Sequence, residues 1–261
     1  MTKIQGKYKD LKAIFERLKL QGKDETKTSK PLIYNCILEC KDNKIFCSVL
    51  NTSCTVLGQF EFGNIKVLEA GEIPIGNLQE FSEFINKFKC EEEITIETTE
   101  NEIYIIRDKP KKTAKLAMIS KEHIEDSIRA VEALSKLKVS ETQVIFNDLK
   151  LENKFVFDSK FMKEALDDGN ISSISRIFRF NFSEKGINCL IGRTTENKIE
   201  SEIALISGKG KCKVLFQQGI DNVFSNVSGN VTVFVSEDSP MFVIAEDAIS
   251  KSKYVIAPVI E

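Results

Sequence analysis

The chain has 261 residues, 42% apolar and 29% charged, with a formal net charge of −2. That is enough for one or two domains with a sizeable core, and no apolar run approaches the ~20 residues of a membrane span. The polar start, MTKIQGKYKD, does not read as a signal peptide, so an intracellular protein, cytoplasmic or nuclear and not secreted, is expected.

Residues 7–20, KYKDLKAIFERLKL, place Tyr8, Leu11, Ile14, Phe15 and Leu18 at helical spacing. Lys9, Lys12, Arg17 and Lys19 fall on the other side, giving an amphipathic helix with a mainly basic face. A polar loop follows, and 32–62 reads as successive strands with KDNK as a hairpin turn. GEIPIGNLQEFSEFINKFK (71–89) is a strand entering a second helix, with Asn77 as N-cap and Glu80 three residues on. A hairpin with alternating Ile94, Ile96, Ile103 and Ile105 comes next, and 114–120 closes this half as a strand.

The same grammar returns. Residues 154–170 give a strand, an Asp158 cap and a helix; a hairpin follows with SEKG where KDNK stood. Residues 212–229 repeat strand-then-helix, and 230–247 repeat the apolar hairpin. Matching landmarks lie about 142–150 residues apart, the helix start at Gly76–Asn77 answering Gln217–Gln218, which argues for a duplicated α+β domain. The expected units are 1–120 and 154–261, joined by a partly helical connector, 121–153. There Ile124, Ile128, Val131, Leu134 and Leu137 fit one helix face and Ser120 is the expected cap.

Charge is uneven. Residues 1–30 hold nine Lys/Arg against four Asp/Glu, RDKPKKTAK (107–115) five against one, and 121–153 five against seven. A basic face for a polyanion is one reading; solvated surface lysines are the other. Seven cysteines (36, 40, 47, 54, 90, 189 and 212) sit mostly in strand-like segments. With one histidine, His123, they offer little to a metal and read as reduced, packed thiols. No phosphate-loop, dinucleotide or hydrolase motif occurs, and ISGKGKCK (206–213) reads as a turn between strands. No cofactor and no enzymatic activity are expected.

The segment SEDSPMFVIAEDAISKSKYVIAPVIE (236–261) resembles the end of PCNA-type DNA polymerase clamps, Pro240 matching the upstream proline and Ala257, Pro258, Ile260 and Glu261 the Ala-Pro-x-Ile-Glu ending. The 71–89 segment is similar to the family's entry into its second helix. IFCSVLNTSCTVL (45–57) departs: Asn51, Thr52 and Cys54 stand where the family has an Asp-Ser pair and a His. The connector is also longer than the family's. The resemblance implies tandem clamp domains, with sheets outside and helices lining a ring of three chains, as a homotrimer or heterotrimer. Such a ring encircles double-stranded DNA without reading sequence and tethers a DNA polymerase, a clamp loader and other clients as a processivity factor.

Carried onto this chain, the resemblance makes Lys9, Lys12, Arg17 and Lys19 the first candidates to face phosphates, followed by Lys87, Lys89, Lys160 and Lys163. The last helix, QQGIDNVFSNVSG, has no base, so the lining would be uneven. Client docking falls on Leu50, Pro240, Ala257, Pro258, Val259 and Ile260, for each of which ordinary core or edge packing is the alternative. Two other classes stay open: a monomeric or checkpoint-type clamp relative, and a cysteine-dependent α+β enzyme.

Overall fold

The computed structural model describes residues 1–21, 31–89, 91–170, 176–192, 197–217 and 219–259. Cys90, Gln218, Ile260 and Glu261 therefore lie outside the described residues. The first half runs β1 (Lys3–Lys7), α1 (Tyr8–Lys19), β2 (Cys36–Lys41), β3 (Lys44–Leu50), β4 (Val56–Phe62), β5 (Lys66–Glu69), β6 (Gly71–Ile75), α2 (Leu78–Asn86), β7 (Glu93–Thr98), β8 (Glu102–Arg107) and β9 (Lys112–Ala117). The connector carries α3 (Glu125–Ser135) and three short strands, β10 (Leu137–Val139), β11 (Val144–Phe146) and β12 (Leu149–Leu151). The second half runs β13 (Asn153–Asp158), α4 (Ser159–Asp167), β14 (Phe178–Ser183), β15 (Gly186–Ile191), β16 (Ile199–Ile203), β17 (Ser207–Lys209), β18 (Cys212–Phe216), α5 (Ile220–Ser225), β19 (Asn230–Val235), β20 (Met241–Glu246) and β21 (Ser250–Ile256). One strand, a helix, five strands, a helix and three strands thus occur twice in order.

The sheets obey the same repetition. One has the order β5-β1-β7-β8-β9, and its counterpart β17-β13-β19-β20-β21 forms part of a nine-stranded sheet. The rest of that sheet, β4-β3-β2-β6, is the counterpart of the separate four-stranded sheet β16-β15-β14-β18. The two halves are therefore welded by one antiparallel ladder, β21 on β4, running from Ser250 opposite Phe62 to Ile256 opposite Val56. Rings cross the seam, the edge of Phe60 meeting Tyr254 with centroids 5.5 Å apart.

Local sequence explains the local geometry. Asp42 and Asn43 both take positive φ in the β2–β3 turn, which short polar side chains tolerate and which matches the twist of a two-residue hairpin. The Asn77 side chain accepts from the Glu80 N–H at 3.0 Å, and Asp158 accepts from the Lys160 N–H, so both caps form. Gly219 starts α5 at φ +82, where a Cβ would lie 2.2 Å from Val56 Cγ2.

α1, α2, α4 and α5 share one large core with one face of the sheets, Phe15 meeting Phe81 at 4.9 Å. α3 lies on the opposite face of the nine-stranded sheet, over β3, β2 and β4. Here the expected pattern is corrected. The face of α3 turned to the sheet carries the small Ser127 and Ala130, while Ile128 and Val131 are 48% and 60% exposed. Small side chains let a helix lie close to a pleated surface, and that favours this rotation over burial of the larger residues. Ser120 precedes a short 3-10 turn, Lys121–His123, without a side-chain cap bond, and Ile124 occupies the N-cap of α3.

Candidate functional site

Two surfaces follow from this layering: a helix face and an outer sheet face. On the helix face Lys9 and Lys12 of α1 are unburied, as are Lys87 and Lys89 beyond α2 and Lys160 of α4; Lys163 is half-exposed. Lys160 lies 3.6 Å from Asp158 and over the Phe161 ring.

Arg17 and Lys19 are a correction to the basic face expected of α1. The Arg17 guanidinium is 8% exposed, bonding Asp247 at 2.8 Å and the Ser250 hydroxyl at 3.2 Å. Lys19 is 4% exposed and bonds Glu16 at 2.9 Å and Gln79 at 3.4 Å. Both sit toward the C-terminal end of α1, where β20, β21 and α2 approach, so neither projects from the helix face.

The structure adds cations that helix periodicity does not select. Lys112 Nζ bonds the Lys87 carbonyl and lies 4.9 Å from the Phe88 ring centroid. This brings the basic β8–β9 turn, with exposed Lys109 and Lys111, beside Lys87 and Lys89. The charge run at 107–115 marks this turn in the sequence, but nothing local marks its neighbour, which the fold brings in from 25 residues away. The helices alone are not strongly basic, because Asp10, Glu16, Glu80, Glu83, Glu164 and Asp167 share their unburied positions.

The partner-facing candidates gather at one end of the nine-stranded sheet. Leu50 ends β3 opposite Leu57, Pro240 precedes β20, and Ala257 follows β21. The Ala257 N–H donates to the Thr55 carbonyl at 2.8 Å, and the Val259 N–H to the Leu215 carbonyl at 2.8 Å. Ala257, Pro258 and Val259 therefore bridge from the seam to β18 of the four-stranded sheet and are all half-buried. Ile260 lies outside the described residues.

The connector fills part of this end itself. Leu50, Leu57, Val255, Phe234 and Phe242 form one apolar cluster with Ala133, Leu134, Leu137, Val144 and Phe146 of the connector. The surface at Leu50 is thus packed by the chain's own side chains.

Cys54 is exposed, a correction to the packed thiols expected, while the other described cysteines are buried. Burial pushes the thiols of Cys40, Cys189 and Cys212 up to about 12, and Cys47 is raised too by its burial beside Cys36. A buried neutral thiol is a poor nucleophile. His123 is exposed, and among the described residues no group of side chains has the arrangement of a metal site. Among them, too, no helix is long and apolar enough to cross a membrane.

No protein-family model matches the sequence, and no curated protein matches it either. Solved structures do. The chain is similar to A. fulgidus PCNA bound to the C-terminal region of FEN-1, with 13% identity and a TM-score of 0.73, covering 100% of this chain and 99% of that one. It is similar to the proliferating cellular nuclear antigen of Entamoeba histolytica, with 13% identity and a TM-score of 0.68 over 99% of both chains. The PCNA2–PCNA3 complex of Sulfolobus tokodaii matches at 12% identity and a TM-score of 0.67 over 98% of both. The chain therefore has the PCNA-like clamp fold along its whole length, an α+β fold with mostly antiparallel sheets.

Proposed function

We propose that the chain is a subunit of a DNA sliding clamp, a scaffold and not a catalyst, in which residues 1–120 and 154–261 are two clamp domains joined by 121–153. One observation carries this reading. Inside the chain β21 pairs with β4, while among the described residues their counterparts β9 and β16 are the end strands of their sheets. An unpaired edge is a template for another strand. Placing β9 of one copy on β16 of the next repeats the internal seam, and a repeat of head-to-tail joints closes into a ring. The exposed side of β9 carries Lys115, which is paired within the chain to Glu102, and the exposed side of β16 carries Glu200 and Glu202. With two clamp domains in each chain, the proposed ring takes three chains, identical or sister subunits.

In such a ring the helices line the hole. Lys9, Lys12, Lys87, Lys89, Lys160 and Lys163, joined by Lys109, Lys111 and Lys112, attract phosphates of duplex DNA without reading its bases. The outer sheets carry the docking side for a polymerase, a loader and other clients inside the cell. The test is topological: protein loaded on nicked circular DNA is retained, and cutting the circle releases it. Retention that is unchanged by linearisation contradicts encirclement.

The mixed charge of the helices supports a second reading, a clamp-fold protein that binds partners without threading DNA. Under that reading the ring or monomer shows no salt-dependent DNA binding.

A further inference from the structure

The outer face of the nine-stranded sheet is only partly covered. Beside α3 lies a cleft of about 580 Å³ whose walls include Ile37, Phe46, Gln59, Ile128 and Val131. Across the sheet lies a second cleft of about 380 Å³, which shares Phe46 and Gln59 and continues to Ile244, Lys251 and Lys253. Two clefts with common walls make one trough, running from β2 over β3, β4 and β21 to β20. At about 4.8 Å between strands its length is roughly 19 Å, the span of about six residues of extended chain. That is long for a compact small molecule and suits a peptide segment.

Three features at the α3 end specify the occupant. Ile128 and Val131 are 48% and 60% exposed on a helix that buries only Ser127 and Ala130, so this wall is apolar and uncovered. Ser127 lines the cleft at 2% exposure, and its Oγ has no hydrogen-bond partner among the described residues. A buried hydroxyl without a partner is costly and calls for a polar atom from whatever seats there. Of the charged residues lining this end, Lys41 is bonded to Glu39 and Lys121 to Glu72, which leaves Glu122, and the adjoining first turns of α3 add exposed Glu125 and half-exposed Asp126 against Arg129.

We propose that a partner protein seats an extended apolar segment with a Lys- or Arg-bearing flank in this trough, its backbone or a polar side chain meeting Ser127 Oγ. The proposal rests on the reading of the outer sheets as the docking side. It places the partner beside α3 and not at the Leu50–Val259 end, where the connector's own Leu134, Leu137 and Phe146 already pack. A second copy of the chain is disfavoured as occupant, since the ring joint uses the β9 and β16 edges.

The test is selection of a phage-displayed peptide library on the full-length protein, with affinities of the enriched peptides measured by fluorescence anisotropy. Enriched peptides are expected to share alternating apolar residues with a basic flank. Ile128→Asp and Val131→Asp should each weaken them about 30-fold or more, and Ser127→Ala about two- to tenfold, with unchanged thermal midpoints as the control for folding. Pro258→Ser should leave them bound. The proposal is overturned by peptides insensitive to Ile128→Asp, by peptides that no longer bind Pro258→Ser, or by no enrichment over background. A fall in molecular mass on Ile128→Asp would overturn it in favour of a second copy. The ring itself is read separately from the mass of the unaltered protein, so a trimer with failed peptide mapping defeats this inference alone.

Discussion

Arg17 and Asp247 form an ion pair 2.8 Å long, across 230 residues of sequence, with side chains only 8% and 9% exposed. The pair ties the C-terminal end of α1 to the β20–β21 turn, and the Ser228 hydroxyl donates to the same carboxylate at 2.9 Å. It therefore clamps the first half of the chain to the second, on the helix side of the β21–β4 seam. Removing one partner strands a buried charge, which costs about 3–5 kcal/mol. Arg17→Ala should lower Tm by roughly 6–20 °C for a chain of this size, read by calorimetry. A change under about 2 °C would show that water or another base compensates.

The same pair sets a pH dependence. Burial pushes the Asp247 carboxyl up, but the Arg17 hydrogen bond and the N–H groups of Ile249 and Ser250 outweigh it, and the net shift is downward. A carboxyl lowered in the folded state contributes stability that is complete above its unfolded pKa, about 3.9, and is lost as pH falls through the folded value. The stability gap between the unaltered protein and Arg17→Ala should be widest above about pH 5 and should close as pH falls below about 4. Urea titrations at stepped pH measure it; a gap constant down to the acid limb contradicts this origin.

Gly219 couples the two halves in a second place. Its backbone is left-handed, and an added Cβ meets Val56 at the start of β4. Gly219→Ala should cost about 1–2 kcal/mol for the backbone and about 1–3 kcal/mol for the crowding, measured by urea denaturation. Gly63→Ala, where nothing lies within 4 Å of the added carbon, is the matched control and should be near neutral.

For DNA, the lysines beside α2 should matter more than the C-terminal end of α1. Reversing Lys87, Lys89 and Lys109 to Glu should weaken duplex binding at every sequence. It should also flatten the slope of log K against log salt by about 0.9 for each phosphate the protein no longer neutralises. Arg17→Ala should instead change stability with the slope intact. A slope unmoved by the triple reversal would remove this cluster from the DNA face.

Much of this is legible in the sequence because it is periodic. Alternation marks the hairpins, KDNK and Asn77 mark a turn and a cap by their side-chain chemistry, and near-constant spacing marks the duplication. Arg17 is misplaced by the same reasoning, because helical spacing reports only which side of a helix a residue occupies. Its partner Asp247 is set by the tertiary fold. Size alone favours Ile128 and Val131 for the buried stripe of α3, whereas the sheet beneath selects Ser127 and Ala130 by fit. The gathering of Leu50, Pro240 and Ala257 at one sheet end depends on ladder register, which single segments do not carry.

The central claim is that β9 and β16 repeat the β21–β4 joint between copies. Light scattering on a sizing column measures it directly, comparing the unaltered protein with Leu116→Asp, a half-buried position on β9. The predicted result is a mass about three times the 29.5 kDa protomer, alone or with sister subunits, falling to one protomer in the variant with an unchanged circular dichroism spectrum. A protomer mass for the unaltered protein at tens of micromolar, with no subunit co-purifying, or a variant that still forms the larger species, would contradict it.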